Sequence, residues 1–210
     1  MNKPRKLKSI KLNGNNLPWI DYPDSVKHLG TTIDNSQNGL LSTDVLQKRA
    51  KFTQCNNELL QEFYFANPEI KCHINNIYNM SLYGSSLWDL FSSAVESLEK
   101  TYNRAVRTMW DIPLDSHRYL IEPLSDQPHM RFTLYKRMIN FKNQVFKSSK
   151  SALKHMYSIC QNNCASVTGR NLRKLMLLCD HSSIYSLNSS DIDCLEYFPI
   201  PNLEKWMIGF

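Results

Sequence analysis

The sequence predicts a mainly α fold: a small N-terminal antiparallel β element, then a three-helix bundle, then further basic helices. Three observations carry this. Val95, Leu98, Tyr102, Ala105 and Met109 recur at spacings of three and four, which places them on one face of a helix over residues 93–110. Val45, Phe52 and Leu59 fall at seven-residue intervals on an earlier helix, with Cys55, Leu60 and Phe63 widening the stripe. Near the N-terminus, Asn13-Gly14 separates two short runs, and Asn-Gly supplies the positive φ angles of a tight hairpin.

Taken in order, the β element is expected across residues 1–36. Ser9-Ile10-Lys11-Leu12 and Leu17-Pro18-Trp19-Ile20 flank the turn, and Pro18 confines its strand to an edge or a late start. A third short strand from Val26 ends at Gly30, and Thr31-Thr32-Ile33 continues it. So small a sheet needs something to pack on. Residues 35–39 read as a linker, and the bundle occupies residues 42–111. Its first helix begins at Ser42 or Thr43 and ends near residue 65. Asn67 caps the second, with Pro68 at the first helical position, where its missing amide costs nothing. Ile70, Ile74 and Ile77 mark that helix's buried side, and it runs through Tyr83-Gly84 to about residue 90. In the third helix Ser93 and Glu96 form a capping box. Glu99, Lys100, Asn103, Arg104 and Arg107 fill its outer side, and Asp111 with Pro113 ends it.

Residues 112–180 form the basic helical region. A helix from about residue 127 to 148 buries Leu134, Met138, Phe141 and Val145, widened by Tyr135, Ile139 and Phe146. Lys136, Asn140, Asn143 and Lys147 line the opposite side, and Lys150 and Lys154 extend the row if the helix continues. Thr168 caps a further short helix that bears Arg170 and Arg173 and docks through Leu172, Leu175, Met176 and Cys179. Residues 181–210 read as a loosely packed tail anchored by Trp206.

The hydrophobic share of 42% and the charged share of 21% over 210 residues are those of a chain that folds around a core. No run reaches the roughly 18 apolar residues of a membrane span. The opening MNKPRKLKSIKL is basic but lacks the apolar stretch of a signal peptide. Six cysteines scattered through helical patterns do not form a secreted disulfide framework, so the cytoplasm or nucleus is the expected compartment. The net charge of +6 is uneven. Between Asp126 and Asp180 there is no acidic residue, while Arg131, Lys136, Arg137, Lys142, Lys147, Lys150, Lys154, Arg170, Arg173 and Lys174 fall inside the interval. A region of one sign implies a polyanionic partner, nucleic acid above all. The alternative is a solvated basic face on a helical protein-interaction module.

Lys27-His28-Leu29-Gly30, Tyr83-Gly84, Leu87-Trp88-Asp89, Asn103-Arg104-Ala105-Val106-Arg107 and Trp110-Asp111-Ile112-Pro113 follow one another in an order that resembles the C-terminal part of non-LTR retrotransposon reverse transcriptases. Leu120-Ile121-Glu122-Pro123-Leu124, Pro128-His129 and Tyr135-Lys136-Arg137 are similar to that family's post-thumb segment. The likeness spans roughly residues 3–175. It implies that Leu29 and Gly30 belong to a primer grip and that residues 43–110 act as a thumb on a template–primer duplex. The basic row itself, Lys136, Asn140, Asn143, Lys147, Lys150 and Lys154, with Arg170 and Arg173 on the next helix, is the expected nucleic-acid surface, because lysines and asparagines on one row can meet successive phosphates. The family's two-metal chemistry needs paired carboxylates. This chain has no adjacent Asp pair. It is therefore expected to be a non-catalytic fragment with no cofactor of its own, magnesium being implied only for the full-length enzyme.

Two further clusters point elsewhere only weakly. Asp191, Asp193 and Glu196 read as a solvated acidic loop rather than a cation site. Cys160 and Cys164, with His155 and with Cys179 or His181, lack the tight spacing of a zinc knuckle and read as small hydrophobes or idle thiols.

Overall fold

The computed structural model describes residues 10–12, 15–17, 25–28, 31–34, 41–79, 82–126 and 128–196, and it is mainly helical. Two antiparallel hairpins come first. Strand β1 (Ile10–Leu12) pairs with β2 (Asn15–Leu17), Ile10 opposite Leu17. Strand β3 (Ser25–His28) pairs with β4 (Thr31–Asp34), Ser25 opposite Asp34. Thr31–Asp34 is thus the antiparallel partner of the preceding strand and not its continuation. The hairpins form two separate two-stranded sheets. Leu29 and Gly30, which join β3 to β4, and Trp206 lie outside the described residues.

Helix α1 (Ser42–Glu62) carries β4 on its first turn. Buried Asp44 accepts the Thr32 amide at 2.9 Å with one oxygen and the Trp88 indole N–H at 2.9 Å with the other. The Thr32 hydroxyl donates to Gln47 at 2.7 Å. Gly84, at φ 81°, comes so close to β4 that a Cβ there would meet the Thr31 hydroxyl at 2.5 Å. Only glycine meets both the left-handed backbone and the approach. Val45, Phe52 and Leu59 of α1 are buried as their spacing requires. Phe52 meets Tyr102 of α3 (Ser93–Met109), ring centroids 6.1 Å apart.

Between them α2 (Pro68–Ile74) starts as expected, Asn67 accepting the Glu69 amide at 3.1 Å. It does not run to residue 90. It gives way to a π-helical turn, Asn75–Asn79. Its buried side differs in part: Cys72 and Asn75 are inside and Ile74 packs against the core as expected, but Ile70 and Ile77 are exposed. The reason is Asn76, whose amide donates to the Ser125 carbonyl at 3.2 Å and whose oxygen accepts from the Tyr102 hydroxyl at 3.3 Å. These polar contacts set the rotation of the segment, and those two isoleucines turn outward.

On α3 the stripe Val95, Leu98, Tyr102, Ala105 and Met109 is buried throughout. Its cap is Ser92, not Ser93: the Ser92 oxygen accepts the Val95 amide at 3.4 Å and its hydroxyl donates to the Asp89 carbonyl at 2.7 Å. Asp111 takes a left-handed φ of 50°, and the Ile112 amide closes back on the Arg107 carbonyl at 3.0 Å. Trp110 then donates its indole N–H to the Leu124 carbonyl in α4 (Ile121–Ser125) at 2.8 Å.

Helix α5 (Met130–Lys147) buries Leu134, Tyr135, Met138, Ile139 and Val145. It ends there. Helix α6 (Ser151–Asn162) follows after a break at residues 148–150, so no single helix carries the basic row as far as Lys154. The cap of α7 (Val167–Leu178) is Ser166, not Thr168: its oxygen accepts the Gly169 amide at 2.9 Å. Residues beyond 181 are not loosely packed where described. Leu187 and Ile192 are fully buried, the latter on α8 (Ser189–Glu196), which packs on α5.

Leu98→Ala removes a fully buried side chain at the α3 centre and should cost on the order of 2–5 kcal/mol. Ser92→Ala should cost about 1 kcal/mol, and Ser93→Ala, on an exposed side chain, less than ~0.5 kcal/mol. Urea melts of the three variants check the order; equal losses at Ser92 and Ser93 would contradict the cap.

Candidate nucleic-acid interface

The cations of the acid-free interval divide into two groups once folded. One group is engaged with the rest of the fold. Arg131 and Arg118 both pair with Glu99 of α3, which is buried although the sequence pattern placed it outside. His129 Nε2 lies 3.0 Å from the same carboxylate. His129 Nδ1 accepts the Arg131 amide at 3.3 Å, and the Arg118 Nε–H donates to His129 Nε2 at 2.9 Å. Burial alone would raise the Glu99 pKa. The His129 hydrogen bond and the charges of Arg131 and Arg118 outweigh it and hold the carboxyl at about 2. Tyr135 beneath them stays a neutral phenol, its pKa pushed up to about 12 by burial.

Lys142 is also inside. Its ammonium donates to the Ile184 and Leu187 carbonyls, both at 2.9 Å, and burial lowers its pKa. Lys136 pairs with Asp193 at 2.7 Å. Arg170 bridges the Ala165 carbonyl (2.7 Å) and the Asp89 carboxylate (3.1 Å), and Arg173 donates to the Asn162 carbonyl at 2.9 Å. The Lys174 ammonium sits 4.8 Å from the centre of the Phe91 ring. These side chains position helices.

The other group faces outward. Arg137, Asn140, Gln144 and Lys147 occupy the exposed face of α5 at spacings of three, four and three, with Asn143 half-buried beside them. They form a stripe about 15 Å long, the rise of ten helical residues. Lys150 follows, exposed, in the break, and Lys154 stands half-buried on α6. Among the described residues Arg137, Lys147, Lys150 and Lys154 form no ion pair. Of the residues expected to meet nucleic acid, the fold thus groups Asn140, Asn143 and Lys147 on one helix, with Lys150 next in the chain. It engages Lys136, Arg170 and Arg173 internally. Arg137 is absent from the expected set, because a row counted from Lys136 is one residue out of phase with the exposed face.

Asp191 and Asp193 lie on α8 rather than in a loop. Asp191 accepts the Asn188 amide at 2.6 Å and pairs with His181 at 3.1 Å. Cys160 and Cys164 are exposed and free. Among the described residues no three His, Cys, Asp or Glu side chains come together to hold a metal ion, and no helix is long and apolar enough to cross a membrane.

Glu99 offers a pH test. Its folded pKa of about 2 lies below the roughly 4.3 of an unfolded glutamate. Its contribution to stability is therefore full above pH ~4.3 and is lost as pH falls toward about 2. At neutral pH Glu99→Gln should cost on the order of 2–4 kcal/mol, since it strands Arg131 and the more exposed Arg118. The gap between parent and variant in denaturant melts should close between pH ~4.3 and about 2. A constant gap would remove the carboxylate's charge from the account.

A scan against protein-family models finds no match, and searches of curated proteins and of solved structures find none either.

Proposed function

We propose that this chain is a non-catalytic nucleic-acid-holding segment that binds duplex through its backbone. One observation carries the reading: after folding, the outward cations Arg137, Lys147, Lys150 and Lys154 remain without ion pairs among the described residues, beside Asn140, Asn143 and Gln144, in an interval with no acidic residue. A stripe of about 15 Å matches about four phosphates along one strand of duplex. Charges and amide donors of this kind meet phosphate and sugar and carry no base information. The resemblance to the thumb and post-thumb of non-LTR reverse transcriptases supports the same role, with α1, α2 and α3 as the thumb-like bundle and Leu29-Gly30 as the primer-grip-like turn. A helical protein-interaction module is the second reading, favoured by the exposed apolar face of α6.

Replacing Arg137, Lys147, Lys150 and Lys154 with Gln should weaken duplex DNA and RNA–DNA hybrid alike, without regard to sequence. For every phosphate that is no longer neutralised, the plot of log affinity against log salt should flatten by ~0.9 for duplex DNA. Stability should hold, because exposed cations contribute little to folding and glutamine keeps the helix. Lys142→Met is the control: it should lower stability by stripping two buried carbonyls of their donor and leave the salt slope alone. Unchanged affinity and slope in the fourfold variant would hand the row back to solvent.

A further inference from the structure

Among the described residues, two groups of uncovered large apolar side chains lie among opposite charges. On α6, Ala152, Leu153, Met156, Ile159 and Cys160 are exposed, Met156 to 65% and Ile159 to 56%. At 100° per residue they span an arc of about 120°, as wide as the face a helix normally buries. Tyr157 and Gln161, on the other side, are the residues packed inward. Lys150 stands at the N-terminal end of this face, Lys154 falls on the opposite side of α6, and the region around the helix belongs to the interval between Asp126 and Asp180 that has no acidic residue. At its far end the exposed Tyr185 donates its hydroxyl to the Asn162 side-chain amide oxygen at 3.4 Å.

The second place is the turn between α1 and α2. Tyr64 and Phe65 are exposed to 77% and 75%, edge to face at 5.5 Å, and Ile70 and Ile77 continue the patch along one side of the next element. Glu58, Glu62 and Glu69 rim it, all exposed; Lys71 donates to the Tyr64 carbonyl at 3.0 Å. Three carboxylates repel phosphate, so aromatic stacking on nucleic acid does not suit this patch. An apolar surface with an acidic rim takes an apolar surface with a basic one, and α6 is such a surface. Helix α2 packs on α3 and α4, whereas α6 packs on α5 and α7, so the two patches belong to different neighbourhoods of the fold.

We propose that the α6 face of one copy docks on the α1–α2 turn of a second copy. The pairing is head-to-tail, so each copy keeps one unused patch of either kind, and association extends to an open chain or closes as a ring. It needs no nucleic acid, although it draws on Lys150, which the proposed duplex row also uses.

Light scattering on the full chain, without nucleic acid, tests this. The mass should rise with concentration past that of a dimer and fall as salt screens the rim charges. Two variants separate the patches: Tyr64→Ser with Phe65→Ser, and Met156→Gln with Ile159→Gln. Circular dichroism melts verify that both fold. Each alone should associate at least tenfold more weakly than the parent, and an equimolar mixture should form a one-to-one complex, because each retains the surface the other lacks. Should either variant misfold, Lys150→Glu, mixed with Glu62→Lys and Glu69→Lys, repeats the test through charge reversal. A parent that stays monomeric to ~100 µM, well above a micromolar Kd, overturns the proposal. So does a turn variant that associates as well as the parent, or a mixture that remains monomeric.

Discussion

The segment Trp88-Asp89-Leu90 is the joint on which this structure depends. Trp88 is fully buried, and its indole N–H is received by Asp44, the same carboxylate that holds β4 through Thr32. On the other side, buried Asn171 of α7 donates to the Trp88 carbonyl at 2.7 Å and accepts the Leu90 amide at 3.2 Å. Asp89 completes the clasp with Arg170. Three stretches far apart in the chain, α1, α7 and, through Asp44, β4, are therefore joined at these three residues, with most of the hydrogen bonds made away from water. A buried polar network of this kind is costly to break, since each missing partner leaves a desolvated group behind.

That placement changes the meaning of the motifs. Tyr83-Gly84, Leu87-Trp88-Asp89 and Trp110-Asp111-Ile112-Pro113 suggest a family in which they accompany nucleic-acid handling. Here Gly84 lets β4 approach, Trp88 ties β4 and α1 to α7, and Trp110 pins α3 to α4. A motif that builds a joint is informative about architecture first. The outward row on α5 is a different kind of feature, because nothing in packing asks for its charges.

How much the chain alone reveals follows the physics of each interaction. Apolar stripes repeat along a helix, so α1 and α3 can be found from Val45, Phe52 and Leu59 or from Leu98 and its neighbours. Caps are visible to within a residue, and adjacent serines at 92 and 93 are enough to shift one. Glu99 and Lys142 carry no periodic signal of burial; a charge goes inside only when distant partners converge on it, here 19 to 45 residues away. The same blindness turns Ile70 and Ile77 the wrong way, because the rotation of α2 is decided by Asn76 and its partners on two other helices. Leu187 and Ile192 are isolated apolar residues in a polar stretch, with no pattern to announce that Lys142 anchors the segment that leads to them.

The break between α5 and α6 has a consequence for cleavage. Lys150 is exposed there, in a short connection outside both helices, and exposed Lys147 closes α5 just before it, which is where a trypsin-like protease cuts. The two pieces would not come apart. The N-terminal one keeps Trp88, Lys136 and Lys142, and the C-terminal one keeps their partners Asn171, Asp193 and the carbonyls of Ile184 and Leu187. Nicked chain would show two bands on a denaturing gel and migrate as one species in native buffer.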